Sequence, residues 1–153
     1  MIRLLRREDI DKLMPLIKDF HYAIKAKRYA LFEDSEMSWR EWLGQCVDND
    51  GLMCAVLEEG TEFIGFITAV QTSAFWNPSI RIACETSLWV SESKRGQGLG
   101  TLLIKALEEW ARVINADIVS AGSSSRLFPK QAGKLLRSQG FELEEKLYSK
   151  RVS

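Results

Sequence analysis

The stretch Leu88-Trp89-Val90-Ser91-Glu92-Ser93-Lys94-Arg95-Gly96-Gln97-Gly98-Leu99-Gly100-Thr101 decides the fold of this 153-residue chain. It opens as a buried strand, Leu88-Trp89-Val90, and closes on the first turn of a helix. Between them lies a basic, glycine-rich turn. The first amides of a helix have no intrahelical partner, and the aligned peptide dipoles leave partial positive charge there. A strand feeding a helix N-terminus through such a turn is therefore an anion site. Gly96, Gly98 and Gly100 carry no Cβ and can take positive φ, so phosphate oxygens can approach the backbone. Arg95 adds a planar cationic donor at the rim.

The spacing excludes two common phosphate motifs. A P-loop requires Gly-x-x-x-x-Gly-Lys-Ser/Thr, and no lysine follows at that distance. A dinucleotide fingerprint requires Gly-x-Gly-x-x-Gly, whereas Gly96-Gln97-Gly98 is followed by Leu99-Gly100-Thr101. What remains is Arg-x-x-Gly-x-Gly: Arg95, Gly98 and Gly100. This resembles the pyrophosphate-binding motif of the GNAT superfamily of acyl-CoA-dependent N-acetyltransferases. Leu88-Trp89-Val90 is similar to that family's fourth strand, and Leu102-Leu103 to Trp110 to its third helix. The resemblance is sharpest from Ile80 to Phe141.

Outward from the turn, the pattern gives one mixed domain. Leu99, Leu102, Leu103, Ala106, Leu107, Trp110, Val113 and Ile114 repeat at helical spacing. Ile118-Val119-Ser120-Ala121 then reads as a short strand, parallel to the one before the helix because a helical crossover joins them. A last helix is expected over Lys130–Gln139, ended by Gly140, and one or two final strands over Phe141–Val152. Upstream, Leu52–Leu57, Phe63–Val70 and Ile80–Val90 form a three-strand meander, with turns at Glu58-Glu59-Gly60-Thr61 and Asn77-Pro78-Ser79. Ile2-Arg3-Leu4-Leu5 reads as an edge strand. Ile10, Leu13, Met14 and Ile17 share one helix face, and Pro15 predicts a kink or early break. Ser38, with Glu41 three residues on, reads as a capping box opening a helix that carries Trp39, Trp42, Leu43 and Cys46. The order β-αα-βββ-α-β-α-ββ matches the GNAT order. The expected fold is α/β: a mixed, mostly antiparallel twisted sheet of six to seven strands with four helices, in a single domain over residues 1–153.

The resemblance implies acetyl-CoA as co-substrate. Leu88 and Val90, flanking Trp89, would offer backbone groups to the pantetheine arm. Arg95, Gly96, Gln97, Gly98, Leu99, Gly100 and Thr101 would hold the pyrophosphate. An unpaired strand edge can pair with the amides of such an arm as another strand would. A backbone N–H near Val90 can polarise the thioester carbonyl. Transfer to an amine needs a base, and Glu85 is the one acidic residue between Ile80 and Val90. Its other reading is a solvent-facing strand residue, since alternation alone does not fix which face is wet. Many family members carry Asn-x-x-Ala-x-x-Leu-Tyr before the Gly-Phe, with the tyrosine as general acid. Here Ala132 and Leu135 match, but Pro129 and Leu136 stand where the asparagine and tyrosine would be. Tyr148, one of Ser123, Ser124 and Ser125, or solvent would then protonate the leaving thiolate.

Composition sets the outer bounds. Cys46, Cys54 and Cys84 are odd in number and form no Cys-x-x-Cys, which suits reduced thiols in the cytoplasm. With His21 the single histidine, no metal site is expected, and a serine-histidine triad would have to use it. No 18-residue apolar run suggests a membrane span, and the charged start Met1-Ile2-Arg3-Leu4-Leu5-Arg6-Arg7 does not read as a signal peptide. Charge is split: residues 1–93 hold 10 Lys/Arg against 15 Asp/Glu, a net of −5, and residues 94–153 balance it at +5. An acidic acceptor side suits a cationic amine. Glu33, Asp34 and Glu36, beside Tyr29 and Phe32, are the candidate contributors; the same segment reads equally as a solvated helix-loop. Neither nucleic acid nor membrane is an expected partner, and a homodimer stays open. The expected activity is N-acetyl transfer from acetyl-CoA to a primary amine. The alternative is a non-catalytic acyl-CoA sensor or interaction module.

Overall fold

The computed structural model describes residues 1–24, 30–122 and 129–152. Five strands form one sheet in the order β1 (Ile2–Leu4), β2 (Leu52–Glu59), β3 (Glu62–Ala74), β4 (Asn77–Val90) and β5 (Ile118–Ser120). The first three pairings are antiparallel and the β4–β5 pairing is parallel. The helices are α1 (Ile10–Ala23), α2 (Phe32–Asp48), α3 (Leu99–Val113) and α4 (Pro129–Ser138). The parallel pairing follows from the α3 crossover, as the sequence predicts.

Why the central strands read as unbroken apolar runs is plain from their packing. Cys54 and Val56 of β2 join Phe66 of β3, Trp89 of β4, Leu13, Ile17 and Phe20 of α1, and Leu43 of α2 in one core. Met53, Ala55 and Leu57 point the other way, with Ile67, Val90 and Leu103, Ile104 and Leu107 of α3. Successive residues alternate between two buried faces, so neither face can be polar. Leu135 and Leu136 of α4 lie at the margin of the second core.

Four expectations need correction. The sheet has five strands among the described residues, not six to seven: Phe141–Val152 forms no strand. Leu143, Leu147, Tyr148 and Val152 are all exposed there, and half the segment is charged, so little apolar burial favours pairing. Ser38 is not an N-cap: α2 starts at Phe32, because burying that ring against His21 and Tyr22 adds two turns that a local capping signal does not announce. Pro15 does not end α1, which runs on to Ala23 behind a buried face of Leu16, Ile17 and Phe20. The β3–β4 turn falls at Phe75-Trp76, not at Asn77-Pro78-Ser79, so both strands extend further than expected.

Among the described residues, no helix is long and apolar enough to cross a membrane. Cys46, Cys54 and Cys84 are free thiols, and burial pushes Cys46 up to about 12.

Candidate active site

β4 and β5 run together only from Ile82 opposite Ile118 to Cys84 opposite Ser120. β4 then continues to Val90 with no described strand on that side. A parallel pair that separates in this way leaves one edge of Glu85–Val90 open among the described residues. Which residues face it follows from the other edge. Ser91 N–H donates to Ile64 O of β3 at 2.8 Å. Alternate residues of a strand turn their backbone groups to opposite edges, so Trp89 faces β3 while Leu88 and Val90 face the opening. Their side chains meanwhile belong to the α3 core. Trp89 differs in both respects: its ring is buried on the α1–α2 side, 6.0 Å from the Phe20 ring centroid. Gly65 lets the end of β4 lie close, since a Cβ there would sit 2.9 Å from Trp89 O.

The glycine turn follows. Gly96 and Gly98 have φ of 78° and 76°, in the left-handed region that favours glycine. Gly98 is the N-cap of α3. A Cβ added at either would meet nothing within 4 Å, so the space over both is open. Thr101 N–H closes on Gly98 O at 3.1 Å, which leaves the Leu99 and Gly100 amides at the exposed mouth of the helix. Gly100 corrects the expectation that all three glycines serve positive φ. It is helical, and a Cβ there would lie 2.8 Å from Leu135 Cδ2, so its place is the α3–α4 contact. Arg95 does more than decorate the rim. Its Nε donates to Val90 O at 3.0 Å, and its guanidinium lies 4.4 Å from the Trp89 ring centroid, tying the turn back to the strand. Open space over two left-handed glycines, helix amides and a strand edge without a described partner strand fit a phosphate carrying an extended amide-bearing arm.

Glu85 lies where the strands part. Its Oε2 accepts from the Gly122 N–H, just past β5, at 3.0 Å. Burial pushes its carboxyl up to about 7, against the pull of that amide. A carboxyl of this kind gains and loses a proton near neutrality. The strand brings Glu85, Leu88 and Val90 into one line ending at the glycine turn.

Other candidates are placed elsewhere. His21 is buried: its Nδ1 accepts from Trp39 Nε1 at 3.2 Å and its Nε2 lies 3.1 Å from Ala30 O, so both nitrogens serve packing. Phe32 is buried too and presents no ring to a ligand. Glu36 pairs with Arg40 at 3.3 Å, and Tyr22 donates to Glu33 at 3.4 Å. Leu136 packs at the margin of the α3 core. Tyr148 is exposed in the C-terminal segment. Tyr29 and Ser123, Ser124 and Ser125 lie outside the described residues.

Sequence reasoning misses three features of this site. One is Gly122 as partner of Glu85. Another is the Arg95–Trp89 stack. The third is a bulge in β4, where Thr68 of β3 opposes Ser87 but Ala69 opposes Glu85, leaving Thr86 unpaired. The hydroxyls of Thr68, Thr86 and Ser87 meet there. The signal for it is Thr68 inside the apolar run Phe63–Val70, with the adjacent hydroxyl residues Thr86 and Ser87 in the next strand.

Comparison with known structures gives the same architecture. An AAC(6')-Iy complex with the bisubstrate analog CoA-S-monomethyl-acetylneamine matches with a TM-score of 0.81 at 17% identity, covering 100% of this chain and 97% of that one. A ribosomal-protein-alanine N-acetyltransferase from Brucella melitensis biovar Abortus 2308 matches at 0.73 and 15%, covering 99% of each. A transcriptional regulator from Bacillus halodurans C-125 matches at 0.80 and 14%, again covering 99% of each. Identities this low establish the fold alone. A search of curated proteins by sequence finds no match. The sequence model of the acetyltransferase (GNAT) family, however, matches residues 11–141, from α1 through the glycine turn to the end of α4. That match takes in both the open edge of β4 and the turn below it, and the chain belongs to the GNAT acetyltransferase family.

Proposed function

We propose that this protein is an acyltransferase that moves an acetyl group from acetyl-CoA to a primary amine by direct transfer. The observation that carries the reading is Glu85, a carboxyl shifted to about 7 beside the open edge of β4 that leads to the glycine turn. Acetyl-CoA supplies an activated thioester. The backbone groups of Leu88 pair with its amide arm as a neighbouring strand would, while Val90 O is held by Arg95 and Val90 N–H is left for the thioester. The amides of Leu99 and Gly100, with the open space at Gly96 and Gly98, take the pyrophosphate. Arg95 acts chiefly by fixing the turn through Trp89 and Val90 O.

Glu85 removes the proton that an amine must lose to attack, directly or through water. With its carboxyl pushed up to about 7, Glu85 exchanges a proton near neutral pH and its ionised form accepts this one. Val90 N–H faces the open edge, where charge gathering on the carbonyl oxygen would meet a donor. The C–N bond forms, the nitrogen sheds its second proton to solvent, the C–S bond breaks, and the thiolate leaves. Leu136 offers no proton to that thiolate, so solvent protonates it; a thiolate leaves readily without an acid.

The acceptor is a cationic amine. The −5 balance over residues 1–93 supports this, as do Glu33 and Asp34 in the first turn of α2. Relatives of the same fold include aminoglycoside acetyltransferases, whose acceptors belong to this chemical class. Thiol release from acetyl-CoA across polyamines, aminoglycosides, amino acids and peptides tests the proposal. Release with a cationic amine, together with the acetylated product by mass spectrometry, supports it. Binding of acetyl-CoA without release for any amine would favour the non-catalytic sensor. Failure to bind would leave an interaction module.

A further inference from the structure

Thr68 is a threonine within one of the most apolar strands of the chain, and its side chain is 1% exposed. Its neighbours Phe66 and Ile67 build the two cores, and a valine would fill the same volume. Burying a hydroxyl is unfavourable unless it finds a partner. Thr68 finds two. Its Oγ1 lies 2.7 Å from Thr86 Oγ1 and is hydrogen-bonded to the buried Ser87 Oγ. A hydroxyl has one proton and two lone pairs, so it can serve both at once.

Those two partners are the residues of the β4 bulge. Up to Thr68 opposite Ser87 the ladder is regular, and beyond the bulge Ala69 opposes Glu85. Without the extra residue, Thr86 would oppose Ala69 and Glu85 would oppose Val70. A slip of one residue turns a side chain to the other face of the sheet. Ala69 belongs to the α3 core, so the bulge aims Glu85 to the same face as Leu88 and Val90, and toward Gly122. Position is what a bulge lacks, because the extra residue makes no ladder bonds of its own.

We propose that Thr68 is a positioning residue for Glu85: its hydroxyl grips Thr86 and Ser87, fixes the bulge at this point of β4, and thereby sets the carboxyl beside Gly122. The inference rests on the reading of Glu85 as the base. Around that carboxyl, β3 contributes Ala69 and the end of β5 the Gly122 amide. Burial and that amide are the two causes of its shift, with no charged side chain of β3, β5 or α3 among them. Arg81, the other charged residue of β4, is bonded to Ile114 O and to Asp117 at the far end of the strand pair.

The test is the titration of the Glu85 carboxyl by carbon NMR of glutamate-labelled full-length protein, its signal assigned by its loss in Glu85→Gln. Thr68→Val keeps the volume and removes the hydroxyl, and should lower the midpoint by about one unit or more. Thr68→Ser should restore it. Thr86→Ala, at an exposed position that does not threaten folding, removes one arm of the grip and should move the midpoint the same way. In turnover, Thr68→Val should lower kcat about tenfold while the KM for acetyl-CoA stays within about twofold. A midpoint unchanged in both folded Thr68→Val and Thr86→Ala overturns the proposal. Failure of the base reading looks different: Glu85→Gln would keep full turnover while the midpoint still moved in Thr68→Val.

Discussion

Replacing Glu85 with glutamine should make the protein worse at its chemistry and more stable at alkaline pH. The carboxyl titrates near 7 in the folded chain and near 4.5 when unfolded, chiefly because burial disfavours the charge. Between those values the unfolded state has already released the proton that the folded state keeps. Stability therefore falls as pH rises from about 4.5 to about 7, and is level above that. The difference corresponds to about 3 kcal/mol of cost to hold the carboxylate in place at pH 8 to 9. Glutamine carries no charge and can still accept from Gly122 N–H. For a domain of this size, each kcal/mol moves Tm by about 2–4 °C, so Glu85→Gln should gain roughly 6–12 °C at pH 8.5. At pH 4.5 the two proteins should melt together, because the wild-type carboxyl is then neutral as well. Thermal unfolding by calorimetry at both pH values is the assay. Equal stability at pH 8.5, or destabilisation at both values, would refute the claim that Glu85 is held against its charge.

Three further outcomes follow from the same site. Gly98→Val should weaken coenzyme A binding at least tenfold in calorimetry, because a branched residue resists the φ of 76° and intrudes on the open space above it; unchanged affinity in a folded variant would remove the turn from the site. Leu136→Met should change turnover little, being a near volume-conserving swap at a packing position, and a complete loss with intact folding would give α4 a chemical role. For the cationic acceptor, KM should rise with ionic strength; a KM that ignores salt, or an anionic best acceptor, would defeat the charge argument while leaving acetyl transfer standing.

The parts legible in the sequence are those governed by one dominant signal. β2, β3 and α3 announce themselves because apolar residues recur without interruption or at helical spacing, and tertiary packing agrees. The glycine turn was readable because φ near +77° at Gly96 and Gly98 is something few other residues accept. Where two signals compete, the local one misleads. The Ser38–Glu41 pair looks like a helix start, yet the buried Phe32 ring draws the helix back two turns, and the acidic pair Glu33 and Asp34 was the better sign of its beginning. Phe75 and Trp76 are unusual turn residues, so Asn77-Pro78-Ser79 attracts the turn on paper. Glu85 stood out by composition, but its direction did not. That depends on the extra residue Thr86, which in one dimension is simply another member of a strand. The Gly122 amide and the Arg95–Trp89 stack are contacts across the chain that no local spacing encodes.

The pH dependence of kcat/KM for acetyl transfer to the best amine, compared between wild type and Glu85→Gln, tests the central claim most directly. The account predicts an ascending limb with a midpoint near 7 in the wild type, and turnover lower by about 10² or more in Glu85→Gln with that limb gone. A wild-type limb that survives unchanged in Glu85→Gln, at an undiminished rate, would contradict it.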